Sequence, residues 1–292
     1  MRLASDGPIG FREKQAFRWL RLRKRAFQYA RYRPGAPKPA LFVVGCQRSG
    51  TSLMHHLLRL DWHTVTYDEE SPLSAGDPVE GLRWAPLEEV ARRFAADRAA
   101  LVVAKPLVES QNLDRLLEAF PGSRALWMYR AAGDVARSNV RYFPAGTSHR
   151  DLQPILAGDQ ANWRAERLGE GARELVCRLY RPDLPAEDAA ALFWYARNSL
   201  LFDRGLDRDP RVRACRYDDL LRDPAGVMRA VYAHIDRPWP GDRIVADVEP
   251  APARPAAPVA LEPAIAEACA GLLARLEAVP RAMPGAAPPP RP

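Results

Sequence analysis

The chain has 292 residues, of which 47% are hydrophobic and 27% charged, and a formal net charge of +7. That length suits one sizeable core, and no stretch approaches the roughly 20 apolar residues of a helical membrane span. Four dispersed cysteines (Cys46, Cys177, Cys215, Cys269) show no C-x-x-C or nearby histidine pattern, which argues against a zinc centre or a disulfide framework. They fit a reducing cytoplasm, as does a start, "MRLASDGPIG", without the apolar core of a signal peptide.

Between Phe11 and Arg33 nine Lys/Arg stand against one Glu, so this segment holds the whole surplus of positive charge. Trp19, Leu22, Ala26 and Tyr29 fall at helical spacing on one face, with Arg18, Arg21, Lys24 and Arg25 largely on the other. A basic amphipathic helix, followed by the stiff linker "RPGAPKP", is expected over 1–37. Two readings of it stay open: contact with an anionic membrane surface, and packing of the aromatic face on the body of the protein. No helix-turn-helix or finger pattern accompanies the charge, so nucleic acid is not an expected partner.

One domain is expected over 38–280. The runs "LFVVG", "HTVTY", "ALVVAK", "RALWMYR" and "RVRACRY" read as short buried strands. Helical patterns such as "LDRLLEAF", "DVARSNVRYF" and "EDAAALFWYARNSLLFDRGL" separate most of them. This alternation predicts an α/β fold in three layers, helices covering both faces of a central parallel sheet. The proline-rich tail, 281–292, is expected to be disordered.

The stretch "LFVVGCQRSGTSLMHHLL" has the strand, loop, helix order of a phosphate cradle. Backbone amides around Gly45, Gln47, Arg48, Ser49 and Gly50, with the positive end of a helix opening at Thr51 and Ser52, make a preorganised anion site. The nucleoside-triphosphate loop G-x-x-x-x-G-K-[ST] has a lysine where Thr51 stands, and the cation here, Arg48, lies inside the loop. With no Asp in evidence at the end of a later strand to hold magnesium, transfer from ATP is poorly served. Arg48 suits a phosphate or sulfonate bidentately. Cys46 reads as a small buried thiol rather than a nucleophile, and His55 and His56 as packing or surface residues.

A second constellation follows in "LWMYRAAGDVARSNVRYF": Arg130 ends a strand, Asp134 reads as an N-cap, and Ser138 lies eight residues beyond Arg130 on the next helix. The two sites together suit a nucleotide phosphorylated at both ends of its ribose. In this order they resemble the sulfotransferases that use 3′-phosphoadenosine 5′-phosphosulfate (PAPS). The resemblance spans about Ala40 to Trp239 and includes "RACRYDDLLRDPAGVMRAVYAHI". It implies the P-loop NTPase-like sulfotransferase fold, a phosphosulfate held by Arg48, Gly50, Thr51 and Ser52, a 3′-phosphate held by Arg130 and Ser138, and Tyr217 near the adenosine. No metal is implied, and the product would be 3′-phosphoadenosine 5′-phosphate.

The histidine that the family's cytosolic branch uses after its third strand is absent from "VAKPLVES". The branch that includes the tyrosylprotein sulfotransferases uses a glutamate after the second strand, and here "TVTYDEES" offers Glu69 and Glu70. An ungapped count selects Glu69 and the local pattern Glu70, with Glu70 the first choice; simple capping of the next segment is the competing reading. Lys105, in a chain where arginine far outnumbers lysine, matches a family lysine near the transferring sulfonate. The family's Arg-Lys-Gly closing loop is missing, "EPAPARPAAPVALEPA" offering only Arg254. The acceptor, whether carbohydrate, lipid, phenol, peptide tyrosine or amine, is set by variable segments at Ser71 to Trp84 and Phe143 to Asp188. Two other classes stay in view: a P-loop kinase or NTPase with an atypical loop, and a non-catalytic nucleotide-binding protein at the membrane surface.

Overall fold

The computed structural model describes residues 11–35, 38–75, 81–248 and 259–282. A basic helix α1 (Phe11–Arg31) precedes β1 (Ala40–Gly45), α2 (Thr51–Arg59), β2 (Thr64–Tyr67), α3 (Leu87–Ala96) and β3 (Leu101–Ala104). Next come α4 (Leu113–Ala119), β4 (Arg124–Tyr129), α5 (Ala132–Tyr142), α6 (Thr147–Ala157), α7 (Glu170–Leu179) and α8 (Ala186–Asp203). The chain continues through β5 (Val212–Arg216), α9 (Tyr217–Arg222) and α10 (Pro224–His234) to α11 (Pro263–Ala278).

All five expected strands form one sheet in the order β2-β3-β1-β4-β5, and every neighbouring pair is parallel. Alternation along the strands builds two cores. Ala40, Phe42 and Val44 of β1 and Ala125, Trp127 and Tyr129 of β4 meet the face covered by α3 to α8 and α11, while Leu41, Val43, Leu126 and Met128 meet α2, α9 and α10. Strands buried on both faces read as continuous apolar runs, which is why they were visible in the sequence. The three-layer α/β architecture follows.

Helix α8 is buried nearly all round. Trp194 Nε1 donates to the Arg130 carbonyl at 3.0 Å and Asn198 Oδ1 accepts from Trp127 Nε1 at 3.1 Å, so both serve the core. Arg197, 2% exposed, donates to the carbonyls of Trp163 and Leu107 and to Gln111 Oε1, each at 3.1 Å.

Helix α1 corrects one expectation. Trp19, Leu22 and Tyr29, the stripe offered for packing on the body, are 66%, 52% and 70% exposed. The helix docks through the opposite face: Lys24 Nζ donates to Arg59 O at 2.7 Å, and Gln28 Nε2 to Trp62 O at 3.0 Å and Thr64 O at 2.7 Å. Phe27 packs edge-on against Trp62 and His63. Side chains of α1 thus donate to carbonyls at the end of α2, in the turn after it and at the start of β2.

A boundary also shifts. Arg281 and Ala282, placed by the sequence in the tail, pair with β5, with Ala214 N donating to Pro280 O at 3.0 Å and Ala282 N to Ala214 O at 2.9 Å. The rest of the proline-rich tail lies outside the described residues, as does Arg254. Among the described residues no helix is long and apolar enough to cross a membrane.

Candidate active site

The strand order reverses at β1, with β3 on one side and β4 on the other, which opens a crevice beyond the carboxyl ends of the strands. Every strand delivers a candidate there: Glu69 after β2, Lys105 after β3, the loop after β1, Arg130 after β4 and Tyr217 after β5.

The loop bends through left-handed backbone at Gly45 (φ 125), Arg48 (φ 66) and Gly50 (φ 87). At Gly45 a Cβ would lie 2.3 Å from the Met128 carbonyl oxygen, and at Gly50 one would lie 2.1 Å from Tyr217 Cδ2. Both positions thus require glycine by space as well as by conformation. Gly50 caps α2, whose first amides have no partner within the helix and face the crevice. Thr51 is buried and Ser52 lies one residue on.

The structure brings the loop after β1 into contact with the helix that follows β4. Arg48 Nε donates to Ser138 Oγ at 3.0 Å, and its guanidinium lies 3.9 Å over the Tyr142 ring. Arg130 lies 4.9 Å over the ring of Tyr217, the same ring that packs on Gly50. Asp134 is not the cap of α5. That position is Ala131, while Asp134 stands inside the first turn, 3.6 Å from Arg130 Nε and 3.4 Å from Arg137 Nη1. Two buried polar atoms here make no hydrogen bond, Ser49 Oγ and Arg130 Nε. Such atoms cost stability unless a partner arrives.

On the other side of the loop, Lys105 Nζ sits 2.8 Å from Asp68 Oδ1 and 2.9 Å from Glu69 Oε1 and donates to Ser52 Oγ at 3.2 Å. Register explains the meeting, since Tyr67 pairs with Ala104 and Lys105 N donates to Tyr67 O. Burial pushes the Glu69 carboxyl above its ordinary range, against the pull of the Lys105 ammonium. Burial also disfavours that ammonium, yet Glu69 and Asp68 together hold its pKa above the usual lysine value. Glu70, the sequence's first choice, is exposed and makes no ion pair with Lys105, whereas Glu69 does. Asp68 was missed, because it has no motif of its own and acquires its place from β3.

Gln47, Arg48, Thr51, Ser52, Asp68, Glu69, Glu70 and Lys105 line one cavity of about 690 Å³. Its far wall comes from the segments between motifs: Leu82, Phe143, Thr147, Arg150, Asp151, Trp163 and Arg164. Asp151 and Arg164 form a buried pair at 2.8 Å, and Gln47 Nε2 reaches Asp151 Oδ2 at 3.4 Å. Behind them Arg83 bridges Glu109 at 2.7 Å and Glu166 at 2.6 Å. A second hollow, lined by Ala131, Gly133, Arg137, Val259 and Leu261, lies beside Arg130.

His55 and His56 are buried on α2 and hold no shared ligand position. Burial lowers His55 to about 4, and His56 Nδ1 contacts Arg59 Nη2 at 2.9 Å. Cys46 is buried and its thiol is pushed up to about 12, which suits packing and not nucleophilic attack.

No family model matches the chain, and no curated protein matches it. Among solved structures the chain is similar to the sulfotransferase domain from the Synechococcus PCC 7002 olefin synthase, at 16% identity and a TM-score of 0.48, over 83% of this chain and 97% of that chain. A likeness at that level carries no argument about chemistry.

Proposed function

We propose that the protein is a sulfotransferase that moves the sulfuryl group of PAPS to a hydroxyl or amine acceptor. The observation that carries this reading is the hydrogen bond of Arg48 to Ser138, which joins the amide-rich loop to the second anion motif while Glu69 and Lys105 line the same cavity.

In this reading the loop amides, Thr51, Ser52 and Arg48 hold the phosphosulfate, and Arg130 with Ser138 holds the 3′-phosphate. Tyr217, fixed between Gly50 and Arg130, offers its ring to the adenosine. Glu69 takes the acceptor proton as the new bond to sulfur forms and the bond from sulfur to the phosphate oxygen breaks. Burial raises its pKa above the ordinary carboxyl value, which strengthens the carboxylate as a base. Lys105 holds Glu69 in the free protein and stabilises charge developing on the departing phosphate oxygen. 3′-Phosphoadenosine 5′-phosphate and the sulfated acceptor leave.

The test is incubation with PAPS and a panel of hydroxyl and amine acceptors, following the bisphosphate product by chromatography. Product formation that rises with one acceptor class supports the reading. If PAPS is left intact while Mg·ATP is consumed, the loop serves phosphoryl transfer and the kinase or NTPase class takes its place.

A further inference from the structure

Helix α1 is two-faced. Lys24, Phe27, Gln28 and Tyr32 bind the body, whereas Trp19, Leu22, Ala26 and Tyr29, half a turn around the helix, face water. Four large hydrophobic side chains stand exposed among the described residues; three of them, Trp19, Leu22 and Tyr29, lie on this face, and the fourth is Tyr142 beside Arg48. Scattered apolar groups on a surface need no explanation, but a stripe of them on one helix does. Exposed Arg21 and Arg25 flank the stripe on one side and Arg23 on the other. Arg98, from the body, lies 3.9 Å over the Tyr29 ring and extends the cationic rim.

This charge decides between occupants. A second copy would press two segments, each with nine cations and one acid, against one another. Nucleic acid would meet aromatic and aliphatic groups where it needs cations. A bilayer bearing anionic lipids satisfies both features, since the stripe enters the boundary of headgroups and acyl chains while the arginines meet lipid phosphates. We propose that the outer face of α1 docks the protein on an anionic membrane surface, independently of what the active site does.

The full chain is sedimented with vesicles of phosphatidylcholine alone and of phosphatidylcholine containing phosphatidylglycerol. Binding is expected only to the anionic vesicles, reduced about tenfold or more by Trp19→Ser/Leu22→Ser/Tyr29→Ser and by raised salt. Arg21→Glu/Arg25→Glu, which leaves the apolar stripe in place, is expected to abolish the preference for anionic lipid and keep the fold, read by thermal melting. Binding to neither vesicle, equal binding to both, or a triple variant that binds like the parent overturns the proposal. A dimer abolished by the triple variant, with no vesicle binding, assigns the face to a second copy instead.

Discussion

Arg48 and Ser138 lie 90 residues apart and meet in a hydrogen bond of 3.0 Å from Nε to Oγ. The contact exists because β1 and β4 are neighbours in the sheet, so the loop leaving one strand borders the helix that follows the other. A single ligand with two anionic ends bridges that border if the proposed function holds. Arg48→Ala and Ser138→Ala should each weaken binding of 3′-phosphoadenosine 5′-phosphate by about 1–3 kcal/mol. Because the two side chains share a bond, the double variant should lose less than the two single losses added together. Strict additivity, measured by titration calorimetry on all four proteins, would show that the bond between Arg48 and Ser138 plays no part in nucleotide binding.

Glu69→Gln should keep nucleotide affinity and lower turnover by roughly 10²–10⁴-fold, whereas Glu70→Gln should stay within a few-fold of the parent. The reverse order would return the base to Glu70, the choice that the local sequence pattern favoured.

The pH profile separates the lysine's two roles. Lys105 pulls the Glu69 pKa down against burial, so Lys105→Met should move the acid limb of turnover to higher pH, because Glu69 then stays protonated further up the scale. Turnover on the plateau should fall as well, through lost stabilisation of the leaving oxygen. A lower plateau with an unmoved limb would mean that Lys105 does not hold the base.

Thiol chemistry reports on the buried loop. Cys177 is exposed, while burial lifts Cys46, Cys215 and Cys269 each to about 12. A thiolate-specific reagent at neutral pH should titrate one group quickly in the native protein and the other three only on unfolding. Rapid modification of Cys46 would contradict its place beneath the loop.

Strands β1, β3 and β4 were legible because both faces of each are buried, so "LFVVG" or "ALWMY" shows no polar gap, whereas β2 and β5 are half-buried in part and carry polar residues. The loop after β1 was legible because Gly45 and Gly50 have conformations and contacts that only glycine accepts. Other features lay beyond the sequence for physical reasons. The face by which α1 docks depends on carbonyls of Arg59, Trp62 and Thr64, which no apolar pattern in α1 encodes. That Glu69 and not the adjacent Glu70 pairs with Lys105 follows from the β2 and β3 register. The cavity's far wall is held by Arg83 with Glu109 and Glu166, 26 and 83 residues away, a pairing of charges without local signature.

In the proposed function this loop and its neighbouring motif hold a bisphosphorylated adenosine nucleotide through protein groups alone. Titration calorimetry of the full chain with 3′-phosphoadenosine 5′-phosphate and with ADP, each with and without magnesium, tests it most directly. Binding of the bisphosphate that magnesium does not improve is expected, with affinity falling in Arg130→Ala by about 1–3 kcal/mol. Preference for ADP with magnesium, or an Arg130→Ala variant that binds the bisphosphate as the parent does, would contradict it.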